Sequence, residues 1–178
     1  PSLMEVAEMF REDYEDITGI RVSEIKTGTK EDAGFGDFYF ELSTEKKGYG
    51  KEGYSMDIDQ SVSVEAEEAT GAYWATRSIL QILKQTRGSI PKGFARDYPK
   101  FEVRAFSLDV GRKPITLEAV EEFAKNMAWY KMNSFQLHLS DNLIFHEDYP
   151  TLEEAIEHSY AGFRLESGVL NEETNKSA

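Results

Sequence analysis

Between residues 105 and 139 the hydrophobic period changes twice within one short stretch. Ala105 to Val110 is a mostly apolar run broken by Ser107 and Asp109. Leu117, Val120, Ala124, Met127 and Ala128 then share one helical face behind Thr116, a suitable N-cap, and this helix is expected to run to about Tyr130. Phe135, Leu137 and Leu139 alternate with polar neighbours. Strand, helix and strand over about 35 residues form a βαβ unit, which requires parallel strands and a right-handed crossover. In parallel architectures functional groups collect just past the C-terminal strand ends. Two loops meet that description: Asp109-Val110-Gly111-Arg112-Lys113-Pro114 and His138-Leu139-Ser140-Asp141-Asn142.

The residues before this unit follow another grammar. Ser2 and Glu5 form a capping box, and Leu3, Val6, Ala7, Phe10, Tyr14 and Ile17 make one helical face that stops at Gly19. Period 2 follows at Phe38, Phe40 and Leu42, at Tyr54, Met56 and Ile58, and at Val62 and Val64, the first two strands joined by a polar turn with Gly48 and Gly50. Tyr73, Arg77, Leu80 and Leu83 return to the helical period and predict a long helix ending near Gly88. Residues 1–92 therefore read as a small α+β domain. The Gly88-Ser89-Ile90-Pro91-Lys92-Gly93 stretch sets the expected boundary, with residues 93–178 as the start of a second domain. A further short helix is expected from Thr151, then a polar tail from Ser167.

Charge narrows the partners. Twenty Lys and Arg against 33 Asp and Glu give a net charge of -13, which repels phosphate backbones and argues against nucleic acid. No apolar run is long enough to span a membrane. The absence of cysteine excludes disulfides, zinc-thiolate sites and a cysteine nucleophile.

Each candidate site residue has a plain structural alternative. Arg112 offers several donors in one plane, suited to paired hydroxyls or a carboxylate, and fits a surface ion pair equally well. Asp109 could hold Arg112, accept from a hydroxyl, or cap a turn. His138 and Asp141 could pair, or could orient other groups. His146, Glu147 and Asp148 lie nearby and could suit a metal, but no established ligand spacing is present, so neither metal nor cofactor is expected. His158 reads as solvated. The aromatics at strand or helix spacing read as core, while Tyr130, Phe145 and Tyr149 lie nearer the expected binding face, with Phe145 open to stacking or burial. The acidic run Glu65-Ala66-Glu67-Glu68 reads as a solvated helix start.

Several stretches resemble the family 20 glycoside hydrolases, the β-N-acetylhexosaminidases. Asp97-Tyr98-Pro99-Lys100-Phe101 through Phe106-Ser107-Leu108-Asp109-Val110-Gly111-Arg112-Lys113 resembles that family's first barrel strand. Met127-Ala128-Trp129-Tyr130-Lys131-Met132-Asn133 and Phe135-Gln136-Leu137-His138-Leu139-Ser140-Asp141 resemble its first helix and second strand. Upstream, Gly53 to Ile58, Gly71 to Thr76 and Leu80 to Leu83 resemble the domain before the barrel. The resemblance implies an α+β domain followed by the first βαβ part of a (β/α)8 barrel, and a retaining hydrolase in which the substrate's 2-acetamido oxygen attacks the anomeric carbon. It implies that Arg112 grips the terminal sugar, that Asp109, His138 and Asp141 support the site, and that the ligands are glycans ending in N-acetylhexosamine. It further implies an extracellular or cell-surface setting.

Two departures accompany the resemblance. After Asp141 the family commonly has a second aspartate and a short run ending in tryptophan. Here the run is Asn142-Leu143-Ile144-Phe145, closer to the lacto-N-biosidase subgroup, which leaves monosaccharide and disaccharide release both open. The family's catalytic Asp-Glu pair also has no counterpart at a barrel-strand end, since Glu147-Asp148 falls in the second loop. A closed barrel takes roughly 250 residues, so a truncated barrel is expected, inactive alone and completed by further barrel strands of the same or another chain. The alternative is a non-catalytic carbohydrate-binding or scaffold module.

Overall fold

The computed structural model describes residues 2–110, 115–139 and 151. The chain divides into two compact units between Glu102 and Val103.

The first unit opens with α1 (Leu3–Thr18), and its capping box forms as expected. The Ser2 hydroxyl accepts from the Glu5 N–H at 3.3 Å while the Glu5 carboxylate accepts from the Ser2 N–H at 2.6 Å. Gly19 ends the helix in the left-handed region. Strands β1 (Phe38–Leu42), β2 (Tyr54–Ile58) and β3 (Val62–Ala66) fall where the alternation put them, and α2 (Ala69–Thr86) follows. A fourth strand, β4 (Gly93–Asp97), completes a sheet of order β1-β3-β2-β4. The polar turn links β1 to β2 along the chain, yet β3 lies between them, parallel to β1 and antiparallel to β2.

The expected boundary at residue 92 falls immediately before β4. That segment pairs with β2 from Ile58↔Gly93 to Tyr54↔Asp97, so it belongs to the first unit's sheet. Its sequence, Gly93-Phe94-Ala95-Arg96-Asp97, has no apolar alternation because an edge strand takes its support from backbone pairing and its Phe94 is 70% exposed.

The core lies between one sheet face and the two helices. Val6 and Phe10 of α1 meet it through edge-to-face contacts of Phe10 with Phe38 and Phe40 at 5.0 and 5.7 Å. From α2, Ala72, Ala75, Ile79 and Leu80 are fully buried, the larger two contributing about 1.5–3 kcal/mol each. The helices are also linked by Arg77, whose Nη2 lies 2.6 Å from the Asp13 carboxylate. Gly71 permits close approach of α2 to the chain before β2: a Cβ there would stand 2.3 Å from the Gly53 carbonyl oxygen. Tyr54, buried in β2, donates to Asp97 at 3.0 Å and shares a hydrogen bond with Ser78 at 2.7 Å, tying β2 to both β4 and α2.

The acidic run has a different role from the one expected. Glu65 and Ala66 end β3, and Glu68 occupies the N-cap position of α2 without a side-chain capping bond. Glu67 accepts the N–H groups of Lys47 and Tyr49 at 2.8 and 2.9 Å, organising the β1–β2 loop. These backbone donors hold its carboxyl below the usual value.

The second unit contains β5 (Ala105–Asp109), α3 (Leu117–Trp129) and β6 (Ser134–His138). The two strands are parallel, as the βαβ reading requires. Thr116 caps α3, its hydroxyl accepting from the Ala119 N–H at 3.3 Å. The helix expected from Thr151 and the tail from Ser167 lie outside the described residues.

Candidate functional site

The β5–β6 pair has two chemically distinct faces. Phe106 stacks on Phe123 of α3 at 5.4 Å and lies 6.0 Å from Phe135, so the even positions of β5 and their β6 partners face the helix. Side chains alternate across a strand. Ser107 and Asp109, paired with Gln136 and His138, therefore stand on the opposite face as two polar rungs. In a parallel barrel that face looks inward, and its last rung borders the active end.

The register is pinned at the other end. The Arg104 N–H donates to Asn133 Oδ1 at 2.9 Å, the Asn133 N–H returns a bond to the Arg104 carbonyl at 2.9 Å, and Arg104 Nε donates to the Lys131 carbonyl at 2.7 Å. Lys131 adopts φ 55, turning the chain from α3 into β6. A slip of one residue would exchange the two faces. With the register held, Asp109 sits directly opposite His138, and the N–H of the fully buried Val110 donates to the His138 carbonyl at 3.0 Å.

Thus two candidate residues, Asp109 and His138, come together as half-buried cross-strand neighbours. Arg112 and Asp141 lie outside the described residues, as do His146, Glu147, Asp148, Phe145, Tyr149 and His158. Tyr130 is displaced from its expected position. It caps α3 just before β6 begins, at the strand end opposite Asp109 and His138, and is 72% exposed. The helix period placed it on α3 but not at the correct end of the sheet. Ser107 and Gln136 complete the polar face, a placement that strand alternation alone carries. Among the described residues no cluster of three or more His, Cys, Asp or Glu is arranged to hold a metal ion.

Comparison with known proteins follows the same division. Residues 1–98 match the family model described as glycosyl hydrolase family 20, domain 2, and residues 101–166 match that family's catalytic domain. An N,N'-diacetylchitobiase from Vibrio harveyi is 32% identical over 106 residues, covering 58% of this chain and 12% of the relative. A lacto-N-biosidase from Bifidobacterium bifidum is 30% identical over 100 residues, covering 54% of this chain and 9% of the relative. The structure of a Flavobacterium johnsoniae chitobiase superposes with a TM-score of 0.65 at 24% identity, covering 79% of this chain and 22% of that one, a likeness of fold. The chain therefore spans only a small part of each of these proteins.

Proposed function

Because the chain belongs to glycosyl hydrolase family 20, with an N-terminal domain and part of the catalytic barrel, we propose that the protein carrying it cleaves β-linked N-acetylhexosamine from glycan ends. The observation that carries this reading is the in-register pairing of Asp109 with His138 on the polar face of β5 and β6, within the residues that match the catalytic domain.

In the proposed reaction the substrate's 2-acetamido oxygen attacks the anomeric carbon as the glycosidic bond breaks. A glutamic acid gives its proton to the leaving oxygen, and a neighbouring aspartate orients the acetamido group. Water then opens the cyclic intermediate with retention of configuration. Arg112 grips the terminal sugar's hydroxyls, while Asp109, His138 and Asp141 support the arrangement. The acid and its aspartate come from outside these 178 residues, on barrel strands that complete the site. Both single-sugar and disaccharide release suit this scheme.

The purified 178-residue chain is expected to release no chromophore from a nitrophenyl N-acetylglucosaminide, whereas the complete polypeptide containing it releases the sugar. Turnover proportional to the concentration of the isolated chain would refute the assignment of the acid to outside residues. A complete polypeptide that binds the sugar without turnover would point instead to a carbohydrate-binding module.

A further inference from the structure

The rung beneath Asp109 and His138 is polar as well. Ser107 stands directly opposite Gln136, on the same face and two residues nearer the start of each strand, and both are exposed in this chain. Phe106 and Leu108, with their partners Phe135 and Leu137, take the opposite face, toward α3. On the proposed hydrolase reading the polar face points into a closed barrel, whose interior is normally filled by layers of bulky apolar side chains. A serine and a glutamine in such a layer lose their water, and a buried polar group left without a partner costs about 1–3 kcal/mol. Both therefore need partners from the polar groups around them.

Reach decides which partners are available. Residues directly opposite one another on a sheet face are near enough for their side chains to meet, so the Ser107 hydroxyl can bond the Gln136 amide. Successive rungs on one face are about 6.6 Å apart. That is too far for the short serine side chain, but an extended glutamine amide and an aspartate carboxylate can span it together. The amide is donor and acceptor at once. If its oxygen accepts the Ser107 O–H, the flip of the amide is fixed and its NH2 turns toward the next rung. There a hydrogen bond to a charged acceptor is about twice as strong as one between neutral groups, which favours the Asp109 carboxylate over His138. A carboxylate has room for about four hydrogen bonds, so Asp109 can accept this one beside those it makes elsewhere.

We infer that Ser107 and Gln136 are positioning residues for the proposed hydrolysis: Ser107 sets the amide of Gln136, and Gln136 holds the Asp109 carboxylate in its working orientation. The inference rests on the hydrolase reading and extends it from the strand ends to the layer below them. Neither residue touches the substrate. Their effect passes through Asp109, and this separates them from residues that merely fill the interior.

The test is a mutant cycle in the complete polypeptide, read as kcat/KM on a nitrophenyl N-acetylglucosaminide. Gln136→Leu, close in volume and without polar atoms, should lower kcat/KM about tenfold, as the loss of one charged hydrogen bond would. In an Asp109→Ala background the same change should cost less than about twofold more, because its target is gone. Ser107→Val should lower kcat/KM about threefold, and Ser107→Thr, which has the same shape with the hydroxyl restored, should recover most of that loss. A purely structural layer would give equal losses in both backgrounds and would not separate threonine from valine. Unchanged kcat/KM in Gln136→Leu, additive losses with Asp109→Ala, or equal activity of Ser107→Thr and Ser107→Val would each overturn the inference, in proteins whose circular dichroism matches the parent. If Gln136→Leu does not fold, the isosteric pair at Ser107 decides alone. A parent polypeptide that leaves the substrate intact would sink the hydrolase reading and this inference with it, whereas additive losses in an active parent sink the inference alone.

Discussion

Asp109 and His138 are cross-strand partners in a parallel pair, and their alignment is set at the far end of the same strands by the exchange of hydrogen bonds between Arg104 and Asn133. The two ends are coupled through strand rise alone: once Arg104 is clamped, the last residue of β5 has one possible neighbour in β6. Asn133→Ala removes the side-chain acceptor at 2.9 Å and should cost about 0.5–1.5 kcal/mol. Denaturant unfolding would measure the loss, and faster amide exchange at Val110 would show that it reaches the polar rung. Unchanged exchange there would mean the register is held elsewhere.

Gly71 is a packing requirement. In Gly71→Ala the new methyl would meet the Gly53 backbone carbonyl at 2.3 Å, an atom that cannot swing aside as a side-chain end can. A loss of about 1–3 kcal/mol is expected, despite the better helix propensity of alanine. A urea midpoint equal to or above that of the parent would disprove the close approach.

Tyr54→Phe tests the link among three elements. The hydroxyl at the end of this buried ring donates to Asp97 and bonds Ser78, so its removal should cost about 1–3 kcal/mol, since Asp97 carries charge. Because the aromatic ring remains, a thermal midpoint equal to the parent's would show that these bonds add nothing net.

Glu67 gives the first unit an acid-sensitive loop. Its carboxyl is held below the ordinary glutamate range, chiefly by the Tyr49 N–H and also by that of Lys47. A group depressed in the folded state stabilises it above the unfolded pKa, and this contribution fades as pH falls through the folded pKa. Glu67→Gln should therefore be less stable than the parent near neutral pH, with the difference closing as pH falls through the depressed folded-state pKa of Glu67. A difference independent of pH would remove the charge from the explanation.

On the proposed function, Arg112→Ala in the full polypeptide should lower kcat/KM by about 2–4 kcal/mol of transition-state stabilisation, as the loss of a charged hydrogen bond to the terminal sugar would. An unchanged kcat/KM on an N-acetylglucosaminide would take Arg112 out of the site.

Much of this protein was written in local patterns. The capping box at Ser2 and Glu5, the glycine stop and the periods of α2 and α3 follow from side chains within a few residues of one another, and the parallel pairing of β5 and β6 follows from the order of elements along the chain. The same patterns put Asp109 and His138 at strand ends. What they could not place depends on contacts between distant residues. β4 carries no alternation of its own and exists through its pairing with β2, Glu67 acts on a loop 20 residues earlier in the chain, and Tyr130 belongs to the end of the sheet that its helix happens to reach. The outer face of the first sheet is the extreme case, for Glu41, Ser63 and Phe94 come to share it only when strands from residues 38 to 97 adopt a non-sequential order. Periodicity determines which face of an element is apolar, because that is a property of the chain's own geometry. Which elements become neighbours, and so which polar residues share a face, is decided by the pairing and packing of the assembled sheet.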